Sequence, residues 1–288
     1  MSISSSAVLA SLNISVWPAS KLDREVTDQV NSNANANINA GKFMKDLFAG
    51  TSLRKDIEKF AAGVRVKHLR YTLPWADKGD RLLTTALFME YKQLINQAEA
   101  QFNQLCDNFF IAYPQLLADA PLHLGSLYKA DDYPSLDEVK LRFGFRYVFS
   151  PLPESGDFRL DVGNAELEEL KHKYAADYDE RLADAMREPW ERLHTVLTAM
   201  SVKLTDEPGQ EDDDKPKKRY HDSLITNAQD LCSLLTKLNV TSDPKLEEAR
   251  RQLETALLGA DIEAIKDSPT VRETMKARVD NILSKFEW

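Results

Sequence analysis

Residues 80–113 read DRLLTTALFMEYKQLINQAEAQFNQLCDNFFIAY, and Leu83, Leu87, Tyr91, Leu94, Ala98, Phe102, Leu105 and Phe109 step along them by three and four. That spacing keeps one side of an α-helix apolar over its whole length, so a second long element is needed to cover it. Residues 164–204 supply one. Asn164 is a good N-cap, and Leu167, Leu170, Tyr174, Tyr178, Leu182, Ala185, Trp190, Leu193, Leu197, Met200 and Leu204 form a second stripe. Pro189 should kink or split that helix, because it lacks an N–H and crowds the preceding turn. Together the two stripes predict a long antiparallel helical hairpin.

Outward from the hairpin the period changes from three-and-four to two. Leu12, Ile14 and Val16 alternate with Ser11, Asn13 and Ser15, a half-buried strand closed by Trp17-Pro18. In RFGFRYVF, residues 142–149, Phe143, Phe145, Tyr147 and Phe149 fall on one face and Arg142, Gly144, Arg146 and Val148 on the other. DFRLDV (157–162) alternates likewise beyond SPLPESG, which predicts a β-hairpin and a small antiparallel sheet with the first strand. Ser20 to Val30 is a short helix followed by an Asn/Ala-rich loop, and residues 114–141, with three prolines, read as short helices and turns.

TDEPGQEDDDKPKKR (205–219) lacks a large apolar residue and has the composition of a charged, flexible linker. Beyond it three amphipathic stretches predict a C-terminal helical bundle. The expected fold class is α+β, mainly helical, with a mixed body over 1–204, the linker over 205–219 and a small helical domain over 220–288.

Composition narrows the function. At 288 residues with 43% hydrophobic content, the chain can bury a real core as a soluble globular protein. Cys106 and Cys232 form no CxxC pair, which suits buried thiols in a reducing compartment, and no apolar run of about 18 residues suits a membrane span. The expected location is the cytoplasm, or the host cytoplasm for a viral protein. No phosphate-binding loop, dinucleotide fingerprint, HExxH or GxSxG motif is present, and five scattered histidines lack metal-ligand spacing. The acidic clusters are better read as solvated charge than as magnesium ligands. The expectation is therefore a protein without enzymatic activity, metal or cofactor.

The net charge of −9 is unevenly spread. Residues 1–163 hold 18 Lys and Arg against 19 Asp and Glu, whereas residues 164–288 hold 19 against 27. An anionic partner should thus prefer the first part. Its most basic element is the helix 52–71, whose apolar residues Leu53, Ile57, Phe60, Val64 and Tyr71 share an arc of about 60°. The remaining surface carries Arg54, Lys55, Lys59, Arg65, Lys67 and Arg70 against Asp56 and Glu58. RFGFRYVF overlaps an RNA-recognition consensus but lacks its first glycine and its βαββαβ context. Its aromatics read as packing residues, while Arg142 and Arg146, with Arg159 on the next strand, need a different account.

Six blocks in order, ISVWPASKLD (14–23), TLPWADKGDRLL (72–83), FFIAYP (109–114), DYPS (132–135), LRFGFRYVFSPLP (141–153) and GDFRLDV (156–162), resemble an uncharacterised phage and bacterial family, domain of unknown function three-one-five-zero. The resemblance spans roughly residues 8–200 and implies a phage or mobile-element origin without assigning catalytic residues. In overall character the chain also resembles the single-stranded-DNA-binding RNA polymerase cofactors of lytic phages. That likeness implies melted DNA and a phage polymerase, or another replication or transcription protein, as partners.

These readings predict a non-enzymatic single-stranded-DNA-binding protein that acts as a transcription or replication cofactor. Its nucleic-acid-binding residues would be Arg54, Lys55, Lys59, Lys67, Arg70, Trp75, Arg142, Arg146 and Arg159, with Trp17 and Trp75 as exposed aromatics for base stacking. The alternative is a protein-interaction scaffold for a phage or bacterial ATPase or polymerase, in which the acidic C-terminal half meets a basic partner.

Overall fold

The computed structural model describes residues 3–76, 79–153, 164–205, 222–286 and 288. Helix dominates them, and the strands form one four-stranded antiparallel sheet and one two-stranded ribbon. The chain divides into two units. The first comprises Met1–Ser11, Arg70–Met89 and Phe149–Trp288, and the second Leu12–Leu69 and Glu90–Val148.

Strand β1 (Ala7–Ser15) begins earlier than the expected first strand and ends just before Val16. β2 (Ser20–Leu22) pairs with β3 (Met44–Asp46), and α1 (Arg24–Asn33) lies between them in sequence. Asp23 caps α1 through the Val26 N–H. The polar tract after α1 is organised by buried Asn31, whose side-chain amide donates to the carbonyls of Ile38 and Gly41 at 2.9 and 3.3 Å.

α2 (Leu53–Tyr71) matches the amphipathic stretch, with Ile57, Ala61 and Val64 buried. After it come β4 (Leu73–Pro74) and β5 (Arg81–Thr84). The sequence pattern places residues 81–84 in the first turn of the long helix. They form a strand because β5 is bracketed by β4 and β1, pairing Leu82 with both Leu73 and Leu9, and because Leu82 and Leu83 are both fully buried. A strand covered on both faces has no alternation to betray it.

α3 (Thr85–Leu124) then continues eleven residues past the expected end, through Pro114 and Pro121. Tyr113, Ala120 and Leu124 prolong the buried stripe, and this burial offsets the backbone hydrogen bonds that the prolines forgo. α4 (Leu136–Lys140) opens on a capping box between Ser135 and Glu138, and leads into β6 (Gly144–Pro151). The sheet order is β4-β5-β1-β6. A Cβ on Gly144 would stand 2.9 Å from the Ser15 hydroxyl, so a larger residue here would have to turn that side chain aside. The second strand of the expected hairpin, with Arg159, lies outside the described residues.

In the second unit the α3 stripe is met by α2 and β6. Tyr91 bonds His68, Phe102 packs on Phe145, and Phe109 packs on Phe143. Phe48 is the hub of an aromatic cluster, with Trp17, Phe109, Tyr113 and Tyr133 all 5.6–5.8 Å away in edge-on geometry. In the first unit α5 (Asn164–Leu204) runs unbroken through Pro189. Its stripe meets β4 and the C-terminal helices α6 (Ser223–Leu238), α7 (Pro244–Leu257) and α9 (Pro269–Lys285), with short α8 (Ile262–Asp267) leading into α9. The part of the α3 stripe from Tyr91 onward and the stripe of α5, read in the sequence as serving each other, thus each have cover within the unit that holds them.

The C-terminal helices form a bundle that shares its core with the end of α5. Leu193, Leu197, Met200 and Leu204 cluster with Leu224, Leu235, Leu246, Leu253 and Val279. The linker expected at 205–219 falls, from residue 206 onward, outside the described residues. Among the described residues no helix is long and apolar enough to cross a membrane.

Candidate functional site

The six cations of α2 have separate fates. Arg54 is buried and bonds Glu58 at 2.8 Å, while Lys55 pairs with Asp46 at 2.9 Å. Arg65 donates to the Ile14 carbonyl at 2.7 Å, and Arg70 meets Asp230 at 3.2 Å. Lys59 and Lys67 are exposed and have no ion-pair partner among the described residues. Four charges of the basic helix are therefore spent on structure, and two remain for a ligand.

Those two line one groove. It lies between α2 and α3, holds about 370 Å³, and includes Lys59, Phe60, Gly63, Lys67, Gln101 and Leu105 in its walls. Lys59, Gly63 and Lys67 recur one helical turn apart, so the two ammonium-bearing positions are about 12 Å apart along the axis. A Cβ at Gly63 would touch nothing within 4 Å, which leaves the α2 backbone open to a ligand between the lysines. Phe60 is half-buried and, with Leu105, gives the groove an apolar component. Asp56 also lines the groove and accepts from the Ser52 hydroxyl, so the two lysines outnumber one carboxylate around an apolar, aromatic-containing trough, an arrangement that suits a chain of phosphates carrying planar bases. Of these residues only the lysines are expected from the sequence as ligand contacts. The i, i+4, i+8 recurrence of Lys-Gly-Lys was the visible signal for Gly63, whereas Gln101 and Leu105 enter through packing alone.

The remaining predicted contacts do not join this groove. Trp75 is buried, with its ring edge-on to Tyr178 at 5.2 Å, and Trp17 is buried against Phe48. Both tryptophans, expected to be exposed for base stacking, are core residues, because each finds an aromatic neighbour and excludes solvent. Arg142 is exposed and lies 5.3 Å from the Trp17 ring centroid, a cation–π contact. Arg146 is exposed without an ion-pair partner among the described residues. It occupies the face of β6 opposite the aromatics: Phe145 meets Phe102, Tyr147 donates to the Asn96 side-chain oxygen at 2.9 Å, and Phe149 meets Phe88. The four aromatics are half-buried, a packing face with an open edge.

Two further clusters belong to the framework. Lys45 is buried, with its ammonium 2.5 Å from Asp132, 3.6 Å from Asp23 and 2.7 Å from the Leu127 carbonyl, and Lys21 reaches Asp132 at 2.7 Å. Burial alone would raise the Asp132 pKa, but hydrogen bonds from Lys21 and Lys45 outweigh it and hold the carboxyl below its usual range. His68 Nδ1 and the Tyr91 hydroxyl lie 2.5 Å apart in the interior, and burial drives the Tyr91 pKa upward. Burial also pushes the thiols of Cys106 and Cys232 up to about 12 and about 11, with Asp107 adding to the first. Both are protonated and unreactive at neutral pH. Among the described residues no group of three or more histidine, cysteine or acidic side chains could hold a metal ion.

No protein-family model, curated protein or solved structure matches this chain. Any assignment of function therefore stands on the site itself.

Proposed function

We propose that the protein binds single-stranded DNA without acting on it chemically, through the groove between α2 and α3. The observation that carries this reading is the pair Lys59 and Lys67, the two cations of the basic helix left without an ionic partner among the described residues, both lining one groove beside Phe60. Charge distribution supports it. The second unit, which carries the groove, holds 14 Lys and Arg against 14 Asp and Glu, and the first holds 23 against 32, so the whole excess of negative charge belongs to the first unit. Arg146, exposed on β6, adds a third phosphate contact for a strand that extends beyond the groove.

Fluorescence anisotropy with labelled oligo-dT at about 50 and 200 mM salt tests the proposal. Binding should weaken with salt, and Lys59→Glu/Lys67→Glu should reduce affinity and flatten the log–log salt slope by about 1.4, or 0.7 per lost phosphate contact. Absent binding, binding insensitive to salt, or an unchanged double variant refutes it.

A further inference from the structure

The C-terminal bundle carries a second groove, remote in character from the first. It lies between α7 and α9 and holds about 710 Å³. Arg251, Arg278 and Lys285 line it, with Glu248 the sole carboxylate among its lining residues. Glu248 is occupied by Gln252, Arg251 by Glu247, and Lys285 by the Gln252 side-chain oxygen. Arg278 is exposed and has no ion-pair partner among the described residues.

Arg278 also borders a second recess of about 300 Å³, built on α8, α9 and the turn before them, in which Leu258, Ile265, Val271 and Met275 supply apolar wall. Asp261, at its rim, is committed to capping α8 through the Glu263 N–H. One arginine thus joins a cationic trough to an apolar recess.

We infer that this surface docks an acidic peptide segment of a partner protein, with carboxylates on Arg278 and Lys285, the two groove cations that no carboxylate meets among the described residues, and one apolar side chain anchored in the recess. Charge complementarity selects the occupant. The unit around the groove carries the chain's net negative charge and repels a long polyanion. A short acidic segment meets mainly the local cations, and its apolar anchor adds burial that nucleic acid would not need. The interaction-scaffold reading thereby acquires a defined surface with polarity opposite to the one expected: a basic groove within the acidic half.

The test uses the full chain and a fluorescein-labelled peptide rich in Glu and Asp with one leucine, read by anisotropy. Saturable binding should weaken at least about tenfold in Arg278→Glu and in Lys285→Glu, since each replaces an attraction with a repulsion. It should weaken several-fold when the peptide leucine becomes alanine. Lys59→Glu/Lys67→Glu should leave it unchanged, which separates this site from the α2/α3 groove. Unaltered circular dichroism melting of each variant excludes misfolding. Absent saturable binding, equal affinity for the Gln/Asn version of the peptide, indifference to both charge reversals, or displacement of the peptide by oligo-dT overturns the inference.

Discussion

Replacing Lys45 by methionine removes the only cation that lies within ion-pair reach of both Asp23 and Asp132 among the described residues. The Lys45 and Asp132 side chains are 3% and 6% exposed, so the variant strands a carboxylate where water cannot fully solvate it. Stranding one member of a buried pair costs about 3–5 kcal/mol, and the surviving Lys21 contact at 2.7 Å places the expected loss near the lower end. The pH dependence follows from the direction of the carboxylate shifts. In the parent, Asp132 lies below its ordinary range, and so does Asp23, chiefly through the Val26 N–H with help from Lys129 and Lys45. A depressed carboxyl stabilises the fold above its unfolded pKa, and that contribution is lost as the pH falls through the folded value. The parent should therefore weaken below about pH 4. The methionine variant, whose carboxylates gain from neutralisation, should close part of the gap. Urea unfolding followed at 222 nm at pH 7 and pH 3.5 measures both, and Lys45→Met/Asp132→Asn should recover at least about 1 kcal/mol relative to the sum of the single changes. A loss below about 1 kcal/mol at neutral pH, or a gap constant across the range, refutes the assignment of Lys45 as a buried ionic tie.

Three further outcomes can be measured. Trp75→Ala should cost about 3–5 kcal/mol by opening a cavity beside Tyr178, while DNA affinity per folded molecule stays unchanged; a loss of affinity without a loss of stability would return Trp75 to the binding surface. Arg146→Ala should change stability by less than about 0.5 kcal/mol and flatten the DNA salt slope by about 0.7, and Phe145→Ala, half-buried against Phe102, should cost about 2 kcal/mol with the slope retained. Cys106 and Cys232 should resist an aromatic disulfide reagent at pH 8 and react only on unfolding, because burial holds both thiols protonated; prompt native-state labelling refutes their burial.

How far the chain could be read from its residues depended on whether the signal was local. The α2 stripe, the β1 alternation, the aromatic face of β6 and the C-terminal helices were legible because one-sided burial imprints a period on the sequence. Leu82 and Leu83 were misread because a strand buried on both faces has no such period. Pro114 seemed to end α3, yet burial of Tyr113, Ala120 and Leu124 carried the helix past it. At the candidate site, charge along α2 was visible. Which charges were already committed was not, since Asp46, Ile14 and Asp230 meet Lys55, Arg65 and Arg70 only in three dimensions. The tryptophans failed for the same reason, as Phe48 and Tyr178 are distant in sequence.

The two units interleave along the chain, which passes between them after residues 11, 69, 89 and 148. During synthesis the second unit has all its residues once position 148 has left the ribosome, whereas the first holds only its opening strand and residues 70–89 at that stage. β5, already paired to β1 in the finished sheet, must wait for α5 and the helices behind it before its unit can close. Stopping the chain at 205 would leave Leu193, Leu197, Met200 and Leu204 without the cover supplied by α6, α7 and α9. Such a truncation probes folding before it probes partners, and function is better dissected by charge reversal at the two grooves than by cutting the chain.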